Sequence, residues 1–224
     1  MDVLASGLRA RALHARELRS RETHARMTSE IAALVQRYAV GRSLLFLGDD
    51  QGALRRLLNG RGGMYEAVMY GRGRNIASVR GPVELVDVDL GNERFPAADG
   101  TFDVVVCNEW LMALSNVSGT IDEAWRVLAA EGLLVVSTAN LSALHNCILV
   151  ALGRQPSTTA LDGPHLRGFA VHSMTSFLEG DGRFRTVALT GIGLHPFTSR
   201  VIPRPLHTYS HTVVWGLRKI PSAA

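Results

Sequence analysis

Two cysteines, Cys107 and Cys147, are all that this chain of 224 residues contains. They lie far apart and form no Cys-x-x-Cys pair, which excludes a dense disulfide framework and points to a cytoplasmic setting. Lysine is scarcer still: Lys219 stands alone, and arginine carries nearly all the positive charge. Arginine's planar fork suits phosphate or carboxylate better than an ammonium does. Much of that charge falls before Arg37, where a nucleic-acid or acidic-lipid surface competes with an ordinary solvated helix face. No aromatic residues are interleaved there, which favours the solvated face. No apolar run reaches the roughly 20 residues of a membrane span, and residues 148–152 are far too short for one. The basic N-terminus lacks the compact apolar core of a signal peptide. What is present is 46% apolar composition and a net charge of +4. That amount of apolar chain supports one sizeable core rather than two large domains.

Residues 2–40 read largely as helix. Met27, Ile31, Leu34, Val35 and Tyr38 recur near the 3.6-residue period, and Gly41 gives a stop. Residues 1–40 are therefore expected to be a helical extension or cap. It would cover the core, close over a ligand site, or contact a second copy or an enzyme partner. Short apolar runs then alternate with helical segments. Strands are expected over 43–47, 65–70, 83–89, 102–107 and 133–137, and helices over 53–58 and 121–128. This alternation predicts an α/β fold with a mostly parallel, Rossmann-like sheet covered on both faces, filling residues 41–220. Residues 141–152 read as helix, and 154–169 as a loop or cap within an insertion near 153–172. Residues 173–178 form a short helix, and 186–190 and 211–217 two late strands. Pro196, Pro203 and Pro205 exclude a continuous helix between those strands.

A strand followed by a glycine turn brings backbone donors close to a ligand, and Gly48 and Gly52 suit such a turn. The spacing is neither a nicotinamide fingerprint nor a phosphate loop, since no lysine follows Gly52. The wider segment resembles the class I S-adenosylmethionine-dependent methyltransferases. Phe46-Leu47-Gly48-Asp49-Asp50-Gln51-Gly52 matches the first motif of that family, with Phe46 at its acidic position and Asp50 at its central glycine. Val88-Asp89-Leu90, Phe102-Asp103-Val104-Val105-Val106, Glu123 with Arg126-Val127-Leu128, and residues 132–140 match later motifs. The resemblance implies a seven-stranded sheet and S-adenosylmethionine as cofactor, bound by Gly48, Gly52, Asp89, Leu90 and Asn108. Asp89 would accept from the adenine amino group. The second strand ends near Met69-Tyr70 without the carboxylate that the family uses on the ribose, and Glu66 lies too early in the run to replace it cleanly.

Methyl transfer needs alignment more than covalent help, with a base where the acceptor is a hydroxyl or protonated amine. His165 and His172 flank Arg167 and Phe169 and are the leading bases, His165 first; a loop-holding hydrogen bond is its structural alternative. Residues 164–169 resemble a His-x-Arg-x-Phe stretch of related small-molecule methyltransferases. Trp110, Arg167 and His172 are the expected substrate contacts, Arg167 through an acceptor carboxylate. Asp103, Trp125 and Trp215 read as structural. No cysteine–histidine cluster indicates a metal, and His207 and His211 lie across a proline-bearing turn. Three functions remain: methyl transfer to a small molecule, a noncatalytic metabolite-binding or enzyme-partner protein, and an enzyme of this fold repurposed for another reaction.

Overall fold

Apolar runs of five to seven residues, too short for helices and rich in valine and leucine, become the central strands of one mixed sheet. The computed structural model describes residues 21–48, 53–60, 66–71, 84–161, 163, 165–195 and 197–221, with backbone alone for 60, 66–71, 84 and 85. Within these, β1 is Ser43–Leu47, β2 Glu66–Gly71, β3 Glu84–Asp87, β4 Phe102–Asn108, β5 Leu128–Ala139, β6 Phe184–Leu194, β7 Thr198–Ile202 and β8 Thr212–Lys219. Their order is β3-β2-β1-β4-β5-β8-β6-β7. The first five strands are mutually parallel, and β8 inserts antiparallel between β5 and β6. The eighth strand is β7, a short edge hairpinned onto β6 inside the segment that the prolines kept from being helical.

Helix α1 covers 21–38; the helix expected over 2–20 lies outside the described residues. With α2 (Ala53–Gly60), it covers one face of the sheet. Met27, Ile31, Leu34 and Val35 pack there against Phe46, Val104, Val106, Val135 and Val214. Each such side chain, fully buried, contributes about 1.5–3 kcal/mol. The apolar stripe of α1 therefore belongs to the core and is not left over for a partner. Phe46 points into this layer, so the aromatic ring at the family's acidic position sits under α1 and α2.

On the other face lie α3 (Val117–Val127) and α5 (Val171–Glu179). Asn116 begins α3 four residues earlier than expected, its side chain accepting from Gly119 N at 2.9 Å. Leu128 leaves the helix and starts β5. A bulge at Glu131 (φ 58°) then lets β5 use the residues from Leu128 to Leu133 where β4 advances from Phe102 to Val104. The Glu123/Arg126 motif is a clamp. Arg126 donates to Glu123, Asp99, Ala97 O and Phe95 O at 2.7–2.9 Å, while Glu123 accepts from Phe95 N. It ties the approach to β4 onto α3. Asp103, as expected, is structural: it accepts from Ser43 N and Oγ at the start of β1, beside Gly41, where any Cβ would collide with its carboxylate.

Lys219 ends β8 buried, donating to Trp125 O and Leu128 O at 2.7 and 2.6 Å and lying 4.3 Å from the Trp125 ring centre. Desolvation lowers its pKa. Trp215 is wholly buried with its indole N–H on Thr175. Trp125 and Trp215 are thus packing residues, as the sequence indicated.

Candidate active site

In an open α/β sheet, ligands collect beyond the carboxyl ends of the parallel strands, where the chain order reverses. Here that point lies between β1 and β4, since β1 runs outward to β2 and β4 begins the opposite half. Gly48 leaves β1 with φ +85°, a conformation that costs side-chain-bearing residues 1–2 kcal/mol or so. A Cβ on Gly48 would lie 2.6 Å from the Trp110 indole. The indole therefore rests directly on the glycine backbone at the carboxyl end of β1. Gly52, with Asp49, Asp50 and Gln51, lies outside the described residues.

Asn108 closes β4. Its Oδ1 accepts from Ser137 Oγ at 2.6 Å, which fixes the side-chain amide. Ser137 in turn accepts from the backbone N–H of Glu109, whose φ of 55° is rare for a residue bearing a side chain. Glu109 Oε2 reaches 3.7 Å from His24 Nδ1 on α1. Glu109 thus joins the end of β4 to α1 through His24. Sequence reading singled out Asn108, but nothing local signalled the backbone conformation of Glu109 or its approach to His24.

Asp89 and Leu90 follow β3. Asp89 Oδ1 accepts from Gly91 N and Oδ2 from Asn92 Nδ2, so its carboxylate caps a turn. Leu90 is buried in the core with its carbonyl bonded to Thr120 Oγ1. Its side chain is therefore a packing group, and any ligand contact from this residue has to be made by its backbone.

The cap expected over 154–169 folds back on α4 (Leu144–Ala151). His165 is half-buried with Nδ1 3.1 Å from Thr158 O. A carbonyl only accepts, so Nδ1 carries the proton and Nε2 is the basic nitrogen. The loop-holding bond and a basic Nε2 thus coexist. Leu166 N and Arg167 N donate to Met112 O, and Arg167 donates to Ser115 O at 2.8 Å, tying the cap to the turn after β4. Arg167 lines a cavity of about 470 Å³ with Phe169, Met174 and Phe177, between the starts of α3 and α5. Trp110, His165 and His172 do not line it. His172 is exposed on the first turn of α5, so Arg167 and His172 do not converge on one cavity.

Asn140, fully buried just after β5, supports this whole edge. It donates to Thr208 O and Ser210 O, accepts from Ser142 N, and takes Asn146 Nδ2 on its carbonyl. His145, His195 and His211 lie with ring centres 4.8–5.8 Å apart near it. His211 therefore associates with two remote histidines rather than with His207, a grouping without a sequence signal. Among the described residues, no three His, Cys, Asp or Glu side chains are placed to hold a metal ion, and no helix is long and apolar enough to cross a membrane.

Residues 65–136, about a third of the chain, match the family model described as a methyltransferase domain. This chain has the class I methyltransferase fold. No curated protein matches it. Among solved structures, it superposes on a chain of the complex between the Haloferax volcanii Trm112 methyltransferase activator and a putative methyltransferase, with 15% identity, TM-score 0.61, and 96% of each chain covered. A possible histamine N-methyltransferase from Thermotoga maritima aligns with 15% identity and TM-score 0.62, covering 84% of this chain and 87% of that one. The [4+2]-cyclase SpnF aligns with 16% identity and TM-score 0.61, covering 88% and 81%. In class I methyltransferase terms, the expected seven-stranded sheet is present with β7 added at its edge.

Proposed function

We propose that this chain transfers a methyl group from S-adenosylmethionine to a small-molecule acceptor. One observation carries the reading: Gly48, in a left-handed backbone under Trp110, lies beside an Asn108 amide fixed by Ser137, on the ends of two adjacent parallel strands. These groups fit a nucleoside with a polar tail. The glycine permits close backbone approach, the asparagine donates, and the Asp89 turn borders the adenine side. When bound, the cofactor supplies an electrophilic methyl. The chain's own tasks are to orient the acceptor, exclude water under α1 and the cap, and accept a proton at His165 Nε2. Glu109, opposed to His24, would orient a cationic or hydroxyl acceptor at the same edge.

Calorimetric titration of the purified chain with S-adenosylmethionine tests the reading. Saturable binding is expected, and Asn108→Ala should weaken it about tenfold, the equivalent of one hydrogen bond to a charged group. Absence of binding by a folded chain overturns it.

The repurposed or noncatalytic reading draws on two features. The sequence has no acid at the end of β2, and both Asp89 oxygens already accept local hydrogen bonds. SpnF is named as a cyclase on a similar fold, and the archaeal complex pairs its putative methyltransferase with an activator. Binding of a different metabolite, with none of S-adenosylmethionine, would favour this alternative.

A further inference from the structure

The cavity between the first turns of α3 and α5 stands apart from the crevice, since none of Gly48, Asn108, Trp110 and His165 lines it. Its volume of about 470 Å³ falls among pockets of roughly 300–1,000 Å³ that take small organic ligands. Backbone bonds fix one of its walls. Asn140 bridges to Phe169, Leu141 N donates to Phe169 O, and Arg167 N donates to Met112 O. The 167–169 segment is thereby pinned to the chain leaving β4 and β5. A wall already held in place loses little freedom when a ligand enters.

The lining divides by chemistry. Val117 and Met174 are buried, and Phe169 and Phe177 add two phenyl rings. Aromatic rings pair by offset or edge-on contacts, and a thioether sits well at a ring edge, so this wall suits an aromatic body. The polar part is one cation, Arg167, with the hydroxyls of Ser115, Ser118 and Ser173. Among the described residues, no acidic side chain lines the cavity. Arg167 Nη2 donates to Ser115 O at 2.8 Å. That bond uses one of the five guanidinium N–H donors and fixes the group's orientation, so a donor fork remains for a ligand. A fixed guanidinium among neutral hydroxyls balances a single negative charge, and a planar carboxylate matches its fork. A phosphate dianion would find only half its charge balanced there.

We propose that this cavity binds an aromatic monocarboxylate, with the ring among Phe169, Met174 and Phe177 and the carboxylate on Arg167 and the serine hydroxyls. The site is independent of methyl-donor binding in the crevice.

Calorimetric titration of the full chain at neutral pH with naphthoate, its neutral amide, naphthyl phosphate and octanoate tests the assignment. Naphthoate is expected to bind saturably, one molecule per chain, and the amide at least tenfold more weakly, the loss of a charge-assisted hydrogen bond. Arg167→Gln should bring naphthoate down to the affinity of the amide and leave the amide unchanged, which also shows that the cavity is intact. Ser173→Trp, at an exposed position on α5, should fill the cavity and abolish binding of both. Thermal melting of each variant separates lost binding from lost folding. No binding of naphthoate, or a preference for the acid that survives Arg167→Gln, overturns the assignment. Tighter binding of naphthyl phosphate or octanoate than of naphthoate overturns the ligand class. Competitive displacement of naphthoate by S-adenosylmethionine overturns the location, since the ligand would then lie in the crevice.

Discussion

Replacement of Arg126 by alanine is expected to destabilise the fold by about 1.5–3 kcal/mol, the range for hydrogen bonds to a charged group. In a chain of this length that lowers the melting temperature by roughly 3–12 °C. The Arg126 side chain is only 14% exposed and closes a network that joins α3 to the segment before β4. Without it, Glu123 keeps only the Phe95 N–H, and the Phe95 and Ala97 carbonyls lose the guanidinium. Arg126→Lys should recover only part of the loss, since one ammonium cannot reproduce the forked pattern.

The same pair sets an acid limit. The hydrogen bond from Arg126 is the main cause that holds the Glu123 carboxyl below its ordinary pKa of 4.5, against the opposing effect of burial. A carboxyl lowered in the native state contributes stability that is complete above the unfolded pKa. That contribution is lost as pH falls through the native value. Melting temperature should therefore fall below about pH 4.5 in the parent chain. The acid slope should be shallower in Arg126→Ala, where Glu123 has lost that partner. Differential scanning calorimetry across pH 3–7 checks both effects, and equal slopes in the two proteins would remove this clamp as their cause.

Gly48→Val should abolish measurable S-adenosylmethionine binding, weakening it by well over tenfold. Valine at φ +85° is a steric outlier, and its Cβ would enter the Trp110 ring. Either the indole leaves the glycine backbone or the turn after β1 moves, and both change the cradle. A double-mutant cycle distinguishes them. Trp110→Ala in a Gly48→Ala background should restore room for the Cβ while leaving the backbone strain, so binding should recover in part. Additive losses would mean that Gly48 and Trp110 act separately.

Some of this architecture was readable along the chain because its signals are local. The apolar runs at 43–47 and 102–107 became β1 and β4, and the Glu123/Arg126 spacing reflects two side chains one helical turn apart. Asn116 as the start of α3 could have been found from its capping chemistry. The edge strand β7 escaped notice because five residues between prolines carry almost no periodic signal. The crevice was less legible. Whether Asp89 serves a ligand or a turn depends on Asn92 and on a backbone N–H two residues away. The Glu109–His24 and His145–His195–His211 groupings join segments that only the sheet order brings together. The burial of Asn146 in α4 was likewise invisible: the apolar run predicts a helix, but the choice of Asn146 as its buried side is made by Asn140, Ser157 and Thr158.

Lys219 gives the molecule a built-in gauge. The chain has a single ε-amine, and that amine is held on two carbonyls at the base of α3 under the Trp125 ring. An acylating reagent applied to the native protein reaches this side-chain amine only when the last strand separates from that helix. The rate of its acylation thus reads out opening between β8 and the base of α3.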